Sequence, residues 1–253
     1  MENTIEKPLK QRIFLLKIPI DVISPENLEA EIMNILSSEE PKQIVLLSLW
    51  DFLRGRRNGE YRNLLKSASL VIPTSKSLIR GAVFLGKPKP YRYNPFSFII
   101  KVLGILEKYN KSVYFFGTRK QSLLTAENNV KKTFPRIRSV GRFTGFYPKS
   151  IENDIILGIQ KSAPSFVLVS DGVPGGEKWI YKHRRQFTKS IFLWSSSILD
   201  IFAERKKRIS DSLFDKGLEV LPQILKNPLK IFFIFRYLWY NILLVVYRIF
   251  RLG

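Results

Sequence analysis

The 253-residue chain has no cysteine and a single histidine, His183. Disulfides, thiolate catalysis and zinc-thiolate sites are therefore excluded. One imidazole and few clustered carboxylates argue against a histidine metal centre or a Ser-His-Asp triad, so no metal and no cofactor is expected. His183 lies in the polar helical run YKHRRQF and reads as a solvated surface histidine. Acidic residues are scarce as well. There are 21 Asp and Glu against 42 Lys and Arg, a formal net charge of +21, and so large an excess calls for nucleic acid, anionic lipid or a phosphorylated substrate. Nucleic acid fits the charge alone, because the aromatics gather in the tail and in apolar strands instead of interleaving with Lys and Arg; no nucleic-acid partner is expected. The start of the chain, MENTIEKPLKQRIFLLKIPID, is acidic and has only Ile13 to Leu16 as an apolar run before Lys17 and Pro19. That is no signal peptide, and the body is expected to stay in the cytoplasm.

What the chain does have is alternation. A strand over Arg12 to Ile23 is followed by SPENLEAEIMNIL, with Ser24 as N-cap, Pro25 at the first helical position and a stripe of Leu28, Ile32 and Ile35. QIVLLSL, SLVIPT, SVYFFG, IRSVGRF, SFVLVSDG and SIFLWSS read as further strands. Helical runs EYRNLLKSA, TRKQSLLTAENNVKKTF, IENDIILGIQKSA and EKWIYKHRRQF fall between them. The pattern predicts an α/β, doubly wound, mostly parallel, Rossmann-like sheet over residues 1–200, with a basic and apolar helical appendage over 201–253.

In such sheets ligands bind at the C-terminal ends of strands, which selects the loops after Ser48, Pro73, Gly117, Gly172 and Ser195. In VSDGVPGGEKW, three glycines let a ligand approach the main chain, and Glu177 opens a helix whose amides favour an anion or hydroxyls. In FFGTRKQS, Gly117 and Thr118 precede two basic residues at a helix start, which suits phosphate. Each turn is equally compatible with an ordinary strand-to-helix connection. The basic cluster Arg205 to Arg208 precedes the nearly continuous apolar run Ile231 to Phe250, interrupted by Arg236 and Asn241. Twenty helical residues reach about 30 Å, enough to span a bilayer. The flanking arginines and Trp239 favour a helix lying in the headgroup region instead. An anionic membrane surface is therefore expected to meet residues 229–253.

Several of these stretches together resemble the WecG/TagA/CpsF glycosyltransferase family of bacteria. FLLKIPIDVISPENLEAEI is similar to the family's opening strand and helix. LLKSASLVIPTSKSLIRGAVFLGKP and VYFFGTRKQSLLTAENNVKKTFPRIRSVGRFTGFY follow its next two blocks. SDGVPGGEKWIYKHR matches its Gly-x-Pro-x-Gln-Glu-x-Trp loop, and SSSILDIFAERKKR with DKGLEVLPQILKNPLK resembles its closing segments. Order and spacing hold over about residues 12–230. The resemblance implies transfer of an N-acetylmannosamine-type sugar from a UDP donor to a polyprenyl-diphosphate-linked acceptor in cell-surface polysaccharide synthesis. It implies work at the cytoplasmic face of the inner membrane, peripheral or C-terminally anchored, and association into a homo-oligomer.

The chain departs from the family at polar positions. The family's catalytic aspartate after the proline corresponds to Thr74, whose hydroxyl cannot accept a proton at neutral pH as a carboxylate does. Asp51 and Asp171 are the alternative bases. Family threonine and asparagine positions correspond to Ser48 and Trp50, a family aspartate to Ser97, and the loop glutamine to Gly176. On the resemblance, Ser48, Arg92, Asn94, Gly117, Thr118, Pro174, Gly176, Glu177 and Arg208 would line the substrates, with Arg92 and Arg208 nearest a diphosphate. Trp50 and Tyr93 are the large side chains that would fill a nucleotide pocket between the Gly117 and Gly172 turns if none exists. Two functions stay open: a transferase with an altered active site, or a catalytically impaired homologue serving as a binding or scaffold subunit.

Overall fold

The computed structural model describes residues 8–218 and 233–250. Residues 219–232, which carry most of the DKGLEVLPQILKNPLK motif, lie outside the described residues, as do 229–232 and 251–253 of the expected membrane segment.

The single strand expected from Arg12 to Ile23 is instead a hairpin, β1 (Gln11–Leu15) and β2 (Ile18–Val22), paired antiparallel and apart from the main sheet. Leu16 and Lys17 both adopt positive φ, 46° and 70°, the backbone of a tight two-residue turn whose twist suits a hairpin. Asp21 on β2 is fully buried. Its carboxylate accepts two hydrogen bonds from Arg12, each 2.7 Å, and one from the Val71 N–H at 2.6 Å. Val71 belongs to β4 (Leu70–Pro73), an edge strand of the main sheet; the hairpin thus satisfies and covers that edge. Helix α1 (Leu28–Leu36) starts later than Ser24 and Pro25 predict. The chain first makes a turn in which the Asn27 N–H donates to Ser24, and Asn27 takes the cap position.

The remaining strands are β3 (Lys42–Leu47), β5 (Ser112–Phe116), β6 (Arg138–Phe143), β7 (Phe166–Val169) and β8 (Ile191–Trp194). They form a six-stranded parallel sheet in the order β4-β3-β8-β7-β5-β6. Helices α2 (Leu49–Arg57) and α3 (Gly59–Ser67) link β3 to β4, and α4 (Lys76–Phe84) and α5 (Pro95–Lys108) link β4 to β5. Next come α6 (Lys120–Thr133), α7 (Glu152–Ser162) and α8 (Glu177–His183) after β5, β6 and β7. Alternate residues of each strand face two cores. Ile44, Leu46, Phe115 and Leu168 pack with α1, α5 and α6, while Val45, Leu47, Phe116 and Val169 face the side of α2, α3, α7 and α8. This is the doubly wound α/β architecture that the alternation predicts. The chain leaves β5 toward β6 but leaves β7 toward β8, in opposite directions across the sheet, so the crevice between β5 and β7 is a topological switch point.

His183 is buried, not solvated: its ring lies 5.0 Å from that of Trp179, and its Nδ1 is 3.1 Å from Gln186 Nε2. The apolar stripe of α8, Trp179 and Ile180, turns this face inward, and burial lowers the imidazole pKa.

After β8, α9 (Ile198–Phe202) still belongs to the main core through Leu199 and Phe202. α10 (Asp211–Lys216) and α11 (Phe233–Ile249) follow. No helix of the described residues is long and apolar enough to cross a membrane. α11 instead uses two faces. Tyr240 and Leu244 are buried against α2 and α4, with the Tyr240 ring 5.6 Å from Phe52 and its hydroxyl donating to Ser77 O at 3.1 Å. Phe235, Leu238, Trp239, Ile242, Val245 and Ile249 remain exposed. The Tyr240 hydroxyl rests where a side chain at Gly81 would have to sit. Gly81→Ala should therefore undock α11, although Ala in an exposed helix would add about 1 kcal/mol of stability. Limited proteolysis should cut the variant's tail faster than the wild type's, and the thermal transition should fall as Phe52, Leu78 and Ala82 lose their cover; an equally protected tail would contradict this docking.

Candidate active site

Two polar clusters occupy the C-terminal end of the sheet. The first follows β3 and β4. Ser48 caps α2: its hydroxyl accepts the Asp51 N–H at 3.2 Å and donates to the Asp51 carboxylate. Ser75 caps the same turn from the next strand, accepting the Leu49 N–H at 3.0 Å. Thr74 points its hydroxyl back at Leu47 O, 3.2 Å away, and its own carbonyl accepts Arg92 Nε at 2.7 Å.

Helix α10 closes over this cluster. The Phe214 ring lies 3.6 Å beneath the Arg92 guanidinium, and Phe214 O accepts from Arg92 Nη1. Lys76 reaches Asp215 O at 2.9 Å, and Asn94, the cap of α5, reaches Asp211 Oδ1 at 3.0 Å. Arg208 stands outside, 3.8 Å from Asp211 and 5.2 Å from the Phe96 ring, along a cavity of about 730 Å³.

The second cluster sits at the switch point. Thr118 donates to Asp200 Oδ1 at 2.6 Å, and Ser197 donates to Asp171 Oδ2 at 2.8 Å. Lys206 contacts Ser197 at 2.7 Å and both aspartates at 3.5 Å. Thr118, Asp171 and the segment 197–206 thus come together from three loops. Ser197, Asp200 and Lys206 are absent from the expected set. Only the basic run AERKKR hinted at Lys206, and the turn bringing its N–H within 3.1 Å of Asp200 O is not visible as a motif. The Gly117 and Gly172 turns meet directly. Thr118 N–H donates to Asp171 O at 2.6 Å, and a Cβ on Gly117 would lie 2.8 Å from Ser170 O. Trp50 and Tyr93 do not lie between them. Tyr93 is in the core beside Phe98 with its hydroxyl on Ile23 O, and Trp50 packs edge-on against Tyr237 of α11 at 5.4 Å.

In the loop that joins β7 to α8, Pro174 and Gly175 are exposed, but Gly176 and Glu177 are buried. Glu177, expected on the ligand side, turns its carboxylate into the core, where it accepts a hydrogen bond from Tyr61 on α3. Burial, and then the charge of Asp51, raise its pKa to about 8. Burial also raises Asp51, against the opposing pull of its Ser48 hydrogen bonds and Arg54. Gly176 has φ +52° and lies against the Trp194 indole, where a Cβ would come within 2.8 Å.

A parallel α/β sheet with polar clusters at its switch point and beside it places candidate ligand-binding side chains where doubly wound folds bind their ligands. The chain belongs to the WecG/TagA/CpsF glycosyl transferase family, whose model matches residues 13–252. Its relatives include three proteins named N-acetylglucosaminyldiphosphoundecaprenol N-acetyl-beta-D-mannosaminyltransferase. That of Bacillus spizizenii is 26% identical over 172 residues, 68% of this chain and 66% of the relative. That of Bacillus subtilis is 20% identical over 211 residues, 83% of this chain and 78% of the relative. That of Staphylococcus aureus is 23% identical over 148 residues, 58% of each.

Two outcomes follow from the geometry. Glu177 has a folded-state pKa above its unfolded value of 4.5, so the unfolded chain releases this proton first as pH rises. Stability from this group is full below about pH 4.5, falls as pH climbs to about 8, and is then constant. Urea unfolding of Glu177→Gln should show a flatter pH profile across that window than the wild type. Gly176→Gln, which would place the family's glutamine here, should cost on the order of 2–4 kcal/mol through backbone strain and overpacking. Pairing it with Trp194→Ala should recover part of that loss in a double-mutant cycle.

Proposed function

We propose that this chain is a glycosyltransferase of cell-surface polysaccharide synthesis. It moves an N-acetylmannosamine-type sugar from a UDP donor to a polyprenyl-diphosphate-linked acceptor. It works peripherally at the cytoplasmic face of the inner membrane, with the exposed apolar face of α11 in the headgroup region. The observation that carries this reading is the family match across residues 13–252, which takes in both the sheet and the tail. The names of the relatives supply the acceptor and sugar class. The donor sits at the switch point, where Asp171 and Asp200 suit ribose hydroxyls and Lys206 suits phosphate.

In the transfer, the acceptor hydroxyl oxygen bonds to the sugar's anomeric carbon as the bond from that carbon to the UDP oxygen breaks. The hydroxyl proton passes to a carboxylate and the negative charge leaves on UDP. Thr74 cannot take that proton, so Asp51 serves in its place. Asp51 is held by Ser48 at the end of β3, it opens on a cavity beside α11, and burial tunes its pKa upward, toward a useful base. Asp51→Asn should lower kcat by about 10²–10⁴ with a small change in KM. Wild-type kcat should rise with pH as Asp51 ionises, and the variant should lose that limb. A loss of this size in Asp171→Asn, with Asp51→Asn active, would move the base to the switch point. Calorimetry of the detergent-solubilised chain with UDP and UDP-sugars tests the donor, and absence of binding would refute the reading.

A second reading, a binding or scaffold subunit without turnover, is favoured by the Thr74 hydroxyl, which is bonded back to Leu47 O, and by the space that Trp194 takes beside Gly176. Turnover of a lipid-linked acceptor by the unmodified chain excludes it.

A further inference from the structure

The strands of the parallel sheet begin at the end of the molecule away from the candidate active site. There the start of β3, the residue before β4 and the turn between α8 and β8 enclose a cavity of about 380 Å³. Lys42, Ser69, Arg184 and Arg185 stand in its walls, and Glu40 is the one acid among the residues that line it.

Arg184 decides what the cavity can hold. It is only 8% exposed, yet among the described residues no carboxylate pairs with it. Its guanidinium lies over the Tyr181 ring at 5.2 Å. Of its nitrogens only Nη1 is hydrogen-bonded, donating to Gln43 Oε1 and Ser67 O at 3.4 Å each. Both acceptors are neutral and both bonds are long. Nε and Nη2 are left without an acceptor among the described residues. Burial lowers the guanidinium pKa against an opposing pull from Tyr181, and the Arg185 charge lowers it further. A guanidinium keeps its proton in a protein, so a charge buried in this way calls for a counter-ion.

The other walls suit a phosphate. Lys42, the exposed Arg185 and the Ser69 hydroxyl bring donors from three separate segments, and guanidinium forks match phosphate oxygens in pairs. Glu40 is 80% exposed and bound to Lys42 at 3.0 Å, so it can turn to solvent when an anion takes its place. The volume lies at the lower end of the range for ligand pockets, about 300–1,000 Å³, which limits the ligand to a small one.

We propose that this cavity is a second anion site, which takes a phosphate group, as the free ion or on a small ester, on Arg184, Arg185 and Lys42. It lies at the opposite end of the sheet from the proposed reaction and does not depend on it.

Thermal unfolding of the full chain in phosphate and in chloride, at equal ionic strength, tests this. Phosphate should raise the wild-type transition by about 3 °C or more at about ten times its dissociation constant. Phosphate also strengthens burial in any protein, so the quantity read is what each variant loses from that rise. Arg184→Met keeps the apolar stem and removes the fork, and it should lose most of the rise. Arg185→Gln, at an exposed position that folding tolerates, should lose about a third or more. Glu40→Gln should bind phosphate about threefold more tightly or better, because a competing carboxylate is gone. Lys161→Gln, exposed on α7, should keep the whole rise.

A rise kept in full by both arginine variants, or lost equally in Lys161→Gln, would overturn the proposal. Lys206→Gln reports separately on the switch point. A rise lost there and kept in the arginine variants would place the phosphate in the proposed donor site and overturn the second site alone. If Arg184→Met does not fold, Arg185→Gln and Glu40→Gln carry the test. A hexose phosphate titrated in parallel separates the sources: a rise at lower concentration than inorganic phosphate assigns an ester, and a weaker one assigns the free ion.

Discussion

The Tyr61 to Glu177 hydrogen bond is the contact on which the candidate site depends. It joins α3 to α8 across the core and places a second carboxyl near Asp51 in a region almost closed to water. Two such groups cannot both ionise cheaply. Glu177, completely buried, holds its proton to about pH 8, while Asp51 has Ser48 and Arg54 to favour its charge. Of the two, Glu177 keeps its proton further up the pH scale, while burial raises Asp51 against hydrogen bonds from Ser48 and the charge of Arg54, which favour its carboxylate. Under the proposed reading this division is what supplies a base where Thr74 supplies none.

The loops on the other side of the sheet are fixed by their backbones. Gly117 N–H donates to Phe143 O, Thr118 N–H to Asp171 O, Gly145 N–H to Thr118 O and Phe146 N–H to Gly172 O. A Cβ at Gly145 would lie 2.8 Å from Gly172, so the seam requires a glycine there. The amides of Gly117 and Thr118 are consumed in this seam. A ligand at the switch point cannot use those two amides, and Thr118, Asp171, Ser197, Asp200 and Lys206 form a connected set of side chains beside it.

The parallel sheet was legible because buried strands such as QIVLL and FVLV announce themselves as apolar runs between amphipathic helices. The hairpin was not, since Leu16 and Lys17 are poor residues for positive φ and nothing local marks the turn; the burial of Asp21 against Arg12 and Val71 holds it there. The burial of His183 is hidden in the sequence for a similar reason. In YKHRRQF the polar neighbours dominate the pattern, whereas the helix places His183 on the face shared with Trp179. In the candidate site, Ser48, Arg92 and Asn94 follow from the family pattern, and Asp51 from its place beside Trp50. Glu177 was also named, but its direction depends on Tyr61, 116 positions away, and no local pattern carries a contact of that range.

The departures from the family pattern acquire a physical logic when the tail is considered with the body. On the resemblance Trp50 takes a polar family position, and its ring meets Tyr237 and Arg236 of α11. On the resemblance Gly176 takes the glutamine position, and Trp194 fills the space a side chain there would need. Each exchange trades a hydrogen-bonding group for an aromatic contact. The exchange at Trp50 also brings the tail helix to the edge of the Asp51 cavity, where Arg236 adds a fourth guanidinium. A site built this way gains positive charge and apolar surface as it loses neutral polar groups. Under the proposed function those properties suit the lipid-linked acceptor.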